Sequence, residues 1–199
     1  MKLRLGILAS HGGTNAQAII DACREGRLDA AVRVLISNNS DALALERARR
    51  AGIHAVHLSS QTHPDPDRLD EAILETLVSR DVNLVVLAGY MKRLGPATLS
   101  HFRGRILNIH PALLPKFGGQ GMYGMRVHEA VIAAGERVSG VTIHVVDENY
   151  DTGPILAQRQ VPVMPGDTAE TLAERVLVVE HELYPQTLAR IARGEIKLG

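Results

Sequence analysis

The chain has one cysteine, Cys23, in 199 residues. No internal disulfide can form, and a reduced compartment fits. The thiol is expected to pack as a small buried apolar residue. Neither sign of charge is in excess: 22 Lys plus Arg balance 22 Asp plus Glu, a formal net charge of zero. No global field then draws in a polyanion, which argues against nucleic acid as the main partner. No stretch approaches the ~20 apolar residues that a membrane span needs. Residues 1–9 are too short and too interrupted for a signal peptide. Internal repeats, low-complexity tracts and linkers are absent. So is the nicotinamide-type Gly-x-Gly-x-x-Gly fingerprint, and no acidic residue is suitably placed after a second strand. Gly-x-Ser-x-Gly, which would carry a serine nucleophile, is missing, as is a His-Glu-x-x-His metal pair. These absences leave a cytoplasmic protein of one domain, residues 1–199, long enough to bury a full core. No membrane, nucleic acid or metal partner is expected.

What is present centres on residues 107–115, Leu-Asn-Ile-His-Pro-Ala-Leu-Leu-Pro. Residues 105–109 read as a short strand, stopped by His110-Pro111 because proline lacks a ladder N–H and restricts its predecessor. Asn108 and His110 stand two apart, so their side chains share a face at the strand's carboxyl end. In open α/β sheets ligands bind at that edge. The plainer reading is a buried amide and imidazole satisfied by backbone.

Other strands are expected at residues 3–9, 31–36, 54–58, 83–88, 138–146 and 155–161. Helices are expected over 16–24, 42–51, 66–80, 96–102, 127–134 and from about 168 toward 193. Thr14 or Asn15 is a candidate cap for the first helix, and residues 38–41, Asn-Asn-Ser-Asp, for the second. Asp167 and Glu170 fit a capping-box-like start of the last. The alternation predicts an α/β fold: a Rossmann-like, mostly parallel twisted sheet with helices on both faces and an antiparallel C-terminal strand. After the first strand comes Ser-His-Gly-Gly-Thr-Asn, residues 10–15, a strand–glycine–helix layout that aims N–H groups at an anion. An ordinary tight turn would look the same. Residues 116–126 carry Gly118, Gly119, Gly121 and Gly124, either a mobile flap or plain turns.

Asn108, His110 and Asp151 form the chemical set. Acyl transfer to an amine needs donors for a developing oxyanion and a group to take the amine's proton. An amide and an imidazolium donate; a carboxylate nearby holds the imidazole charged or accepts a proton through water. With no nucleophile beside this set, transfer is expected to be direct.

Residues 107–115, with Gly-Val-Thr-Ile-His at 140–144 and Asp-Thr-Gly-Pro-Ile at 151–155, resemble the folate-dependent formyltransferases. With residues 10–15, Leu-Ala-Gly-Tyr-Met at 87–91 and Glu-His-Glu-Leu-Tyr-Pro at 180–185, the likeness to the glycinamide ribonucleotide formyltransferases spans essentially the whole chain. The resemblance implies a single formyltransferase domain with a nucleotide-binding first half and a folate-binding second half. It implies 10-formyltetrahydrofolate as co-substrate, glycinamide ribonucleotide as acceptor and a step of de novo purine synthesis. It makes Asn108, His110 and Asp151 catalytic, and assigns substrate phosphate to Gly13, Thr14 and Asn15 and the ribose hydroxyls to Glu180. It places the folate against Met91, Lys92, Arg93, Leu94, Asn108, Val146, Asp147 and Asp151. A monomer or homodimer is expected. His11 stands where small residues are commoner, and Lys92-Arg93 where one basic residue is typical, which leaves open which of the two meets the folate. The 116–126 loop receives no role, His144 is read as structural, and Arg47, Arg49 and Arg50 as a solvated helix face. Methionyl-tRNA formyltransferases and formyltetrahydrofolate deformylases share these motifs, but usually add a further domain that this sequence is not expected to carry. A non-catalytic folate- or nucleotide-binding module is the rival from another class.

Overall fold

Apolar runs of four to eight residues form the strands, and alternation along them decides which helices each side chain meets. A computed structural model describes residues 2–149 and 151–199. The elements are β1 (Leu3–Leu8), α1 (Thr14–Arg24), β2 (Ala30–Ser37), α2 (Leu43–Arg50), β3 (His54–His57), α3 (Pro66–Ser79) and β4 (Leu84–Leu87). There follow α4 (Pro96–His101), β5 (Ile106–His110), α5 (Met125–Ala133), β6 (Val138–Val145), β7 (Ile155–Pro162) and α6 (Ala169–Ala192). The sheet order is β3-β2-β1-β4-β5-β6-β7. β1 to β5 pair in parallel; β6 runs against β5, and β7 runs against β6. The expected α/β sheet with antiparallel pairing at its end is therefore present.

Leu5, Ile7, Leu84, Val86, Leu107 and Ile109 point into one core, shared with α1, α2, α5 and α6. Leu8, Val85, Leu87 and Ile106 point into the other, with Ile73 and Leu77 of α3. Gly6 lies on that second face because Leu77 Cδ2 comes within 2.4 Å of where a Cβ would be. The chain builds outward from β1 to β3, then returns to β1's other side with β4. The carboxyl ends of β1 and β4 therefore flank the switch-point crevice where such sheets bind ligands.

Three expected helix starts differ. Gly13, in the left-handed region, is the N-cap of α1, and neither Thr14 nor Asn15 caps it. Ala42 is the N-cap of α2, and residues 38–41 only form the turn before it; the Ala44 N–H is satisfied by the His11 carbonyl instead. The capping box of α6 is built from Thr168 and Thr171 rather than Asp167 and Glu170. Asp167 instead binds Arg175 at 2.6 Å, a better partner for a carboxylate. No helix among the described residues is long and apolar enough to cross a membrane.

Candidate active site

Asn108 and His110 continue the parity of Ile106, so they face the second core. Along that face β5 changes from the apolar Ile106 to the polar Asn108 and His110. Across the antiparallel β5–β6 pair, Asn108 is opposite His144 and His110 opposite Thr142. Directly opposed residues share a face at close range, so the expected pair becomes a four-residue polar patch. Asn108 Nδ2 is 3.2 Å from His144 Nε2. Thr142 donates to the Ala112 carbonyl at 2.7 Å and accepts from the Leu114 N–H at 3.1 Å, holding the chain after Pro111 against β6.

Asp151 joins from the loop after β6, its backbone in the left-handed region at φ 55°. Its Oδ2 lies 3.7 Å from His110 Nδ1 and its Oδ1 3.5 Å from His144 Nε2. The glycine-containing loop, read as a flap or plain turns, is seated on this set. The Phe117 carbonyl is 2.7 Å from His110 Nε2, and the Gly119 N–H donates to Asp151 Oδ2 at 2.9 Å. Asp147, expected at the folate, shapes its own loop by accepting from the Asn149 N–H and the Thr152 hydroxyl. Tyr150, within that loop, lies outside the described residues.

The turn after β1 is fixed to α2. Its His11 carbonyl accepts from the Ala44 N–H at 3.0 Å, and its Gly12 carbonyl from Arg47 Nε at 2.8 Å. Arg47 is thus a half-buried turn ligand, whereas Arg49 and Arg50 are solvated as expected. In a trans peptide the N–H points opposite the carbonyl, so the following N–H groups face away from α2. Ser10, fully buried, joins β1 to β4: its hydroxyl accepts from the Met91 N–H and donates to Asn38.

A cavity of about 770 Å³ opens from this turn to the polar patch; Asn15, Met91, Asn108, His110, Asp151 and Glu180 are in its wall. Gly13 and Thr14 are not, although Gly13 caps the helix that carries Asn15. A smaller pocket of about 120 Å³ adjoins it, bounded by Lys92, Arg93, Leu94, Val146 and Asp147. Asn108 and Asp151 belong to both. Lys92 and Arg93 both border the small pocket, and Arg93 also donates to the Glu148 carbonyl.

Burial raises Glu180 to about 7, with the Asn15 amide beside it working the other way. Burial also lowers His144, outweighing the Val145 carbonyl and Asp151, which favour its charged form. His128 of α5 lines the larger cavity and is lowered by burial and by His110; its Nδ1 has no partner among the described residues. His128 carries no functional signal in the sequence, because a histidine on an amphipathic helix does not show locally what it faces. Cys23 is half-buried inside α1, its thiol pushed up by burial to about 11, which leaves it un-ionised and a poor nucleophile. Among the described residues, no group of three or more His, Cys, Asp or Glu is placed to hold a metal ion.

Known proteins resemble this chain in sequence and in fold. The chain is 45% identical to a chloroplastic phosphoribosylglycinamide formyltransferase of Vigna unguiculata, over 97% of its own length and 62% of that protein's. It therefore spans somewhat less than two thirds of that relative. It is 37% identical to the phosphoribosylglycinamide formyltransferase of Escherichia coli, covering 98% of this chain and 90% of that one. The crystal structure of glycinamide ribonucleotide transformylase 1 from Symbiobacterium toebii superposes with a TM-score of 0.92 at 44% identity, covering 99% of this chain and 91% of the other. The formyl transferase family model matches residues 3–188, taking in every element from β1 into α6, and to that family the chain belongs.

Proposed function

We propose that the chain transfers the formyl group of 10-formyltetrahydrofolate to the amino group of glycinamide ribonucleotide, a step of purine synthesis. The observation that carries this reading is the shared wall: two pockets meet at Asn108 and Asp151. Group transfer between two bound molecules needs such a junction, because holding both reactants in place converts a bimolecular step into an effectively unimolecular one. The larger cavity suits the nucleotide. The amide face at the start of α1 and the Asn15 side chain meet its phosphate, and Glu180 accepts from its ribose hydroxyls. The smaller pocket, edged by Leu94 and Val146, takes the folate's ring end.

The amine then attacks the formyl carbon directly. Asn108 donates from Nδ2 to the developing oxyanion, and removing one such donor typically costs ~10²–10³ in rate. His110 supplies a second donor. Its Nε2 faces the Phe117 carbonyl here, so a substrate oxygen competes with that carbonyl for it. Asp151, whose Oδ2 lies 3.7 Å from His110 Nδ1, accepts the amine's proton through water. Asn108 and Asp151 act on the reacting atoms, while Lys92, Arg93, Leu94 and Asp147 line or shape the folate side and Met91 lines the larger cavity beside it.

The test follows product formation with purified protein, the formylated folate and one acceptor at a time: glycinamide ribonucleotide, methionyl-tRNA or water. Efficient transfer to the ribonucleotide alone supports the proposal. Folate hydrolysis as fast without the amine as with it would make the chain a deformylase, and comparable kcat/KM on the tRNA would make it a tRNA enzyme.

A further inference from the structure

By sequence His144 reads as structural, yet in the fold it faces two members of the chemical set. Its ring is buried at 2% exposure. Nδ1 lies 3.2 Å from the Val145 carbonyl, which can only accept, so Nδ1 carries the proton. Burial keeps the ring neutral against Asp151 and Asp147, which favour its charge, and together with His110, which opposes it. A neutral imidazole has one N–H, so Nε2 is a bare lone pair. Among the described residues two groups face that lone pair: Asp151 Oδ1 at 3.5 Å, an acceptor, and the Asn108 amide at 3.2 Å. Of these two, the amide nitrogen is the donor that can fill it.

An asparagine amide has two ends of nearly the same shape but opposite polarity. Turned one way, Asn108 offers an N–H to a developing oxyanion; turned the other, it offers a repelling lone pair. We propose that His144 is a positioning residue: by accepting one Nδ2–H of Asn108 at Nε2, it fixes the amide so that the second Nδ2–H faces the reacting carbonyl. This rests on Asn108 being an oxyanion donor, as proposed above. The assignment explains why an imidazole is buried opposite Asn108 in the β5–β6 register. No apolar residue there would sort the two ends of the amide.

Two measurements decide it. The first reads ring-nitrogen protonation by NMR in ¹⁵N-histidine-labelled wild-type protein at neutral pH. His144 should be the Nδ1–H tautomer with Nε2 unprotonated; an Nε2–H tautomer or an imidazolium overturns the proposal, whatever the activity. The second is kinetic. His144→Leu should lower kcat by ~10- to 100-fold, less than the full cost of a lost donor, with KM for both substrates changed by under about twofold. His144→Gln, whose Oε1 can accept the same bond, should recover most of that loss. In an Asn108→Ala background, His144→Leu should cost nothing further, because a residue acting only through another is non-additive with it. A multiplicative loss in the double variant, or Gln no better than Leu, overturns the proposal. Should the Leu variant not fold, the tautomer still decides, and His144→Gln is read against wild type, where a kcat loss of about 10-fold or more overturns the proposal. Wild-type kcat in Asn108→Ala alone would sink the oxyanion reading itself, a result separate from the tautomer.

Discussion

A carboxyl group sealed from water resists ionisation, and Glu180 is at 8% exposure with its value raised from 4.5 to about 7. It holds its proton more tightly folded than unfolded. Its contribution to stability is fully present below 4.5 and is lost as pH rises through about 7. Hydroxyl donors from a ribose would favour the carboxylate and lower that value, so nucleotide binding at neutral pH should release protons. Calorimetry in two buffers of different ionisation enthalpy measures this directly. Release that vanishes in Glu180→Gln is expected; equal release in wild type and variant would remove Glu180 from the sugar. Asp151→Asn keeps an acceptor for the Gly119 N–H and so leaves the loop seated, but removes the charge 3.7 Å from His110. It should lower kcat by ~10² or more and barely move KM, the mark of a group acting in the transition state. A change in KM alone would make Asp151 a binding residue. Asn108 and His110 were legible because a strand's period of two is local. His144 was legible as a strand residue but not as Asn108's partner, because the two stand 36 residues apart and only register joins them.

Between elements, two contacts set the site's frame. A Cβ on Gly13 would sit 2.6 Å from Ala44 Cβ of α2, and its φ of 70° strains any other residue. Gly13→Val should therefore lower Tm and fail toward both ligands together. Asn15→Ala, buried but free of that clash, should raise Kd for the phosphorylated substrate and spare the folate. Equal loss for both ligands in Asn15→Ala would disconnect α1 from the phosphate. The fully buried Tyr184 of α6 shares its one O–H between the Leu87 and Leu107 carbonyls, at 3.0 and 3.2 Å, joining the last residue of β4 to the second of β5. Tyr184→Phe removes this buried donor from the two carbonyls and should cost about 1–3 kcal/mol. That is a Tm drop on the order of 2–10 °C in a chain of this size. A denaturation midpoint unchanged from wild type would contradict the assignment.

Over the whole molecule, 22 basic and 22 acidic side chains cancel. A mononucleotide needs only a local anion site, whereas a tRNA enzyme neutralises many phosphates and its affinity falls steeply with salt. The kcat/KM for glycinamide ribonucleotide should therefore vary shallowly between low and physiological ionic strength. A log–log slope of several units, on the scale of a polyanion binder, would point to an extended anionic substrate.

The sequence by itself determined where strands and helices lie, the mostly parallel α/β class and the shared face of Asn108 and His110. Each depends on apolar periodicity and on turn residues within a few positions. It also exposed the strand–glycine–helix layout, though Gly13 rather than Thr14 or Asn15 caps the helix. Tertiary structure alone decided that His144 meets Asn108, that Arg47 leaves the solvated face for the Gly12 carbonyl, and that the 116–126 loop rests on His110 and Asp151. It also decided that Gly13 must be glycine because of α2. These are contacts between distant segments. Their partners are chosen by strand register and helix packing, which hydrophobic burial sets for the chain as a whole and no local pattern encodes.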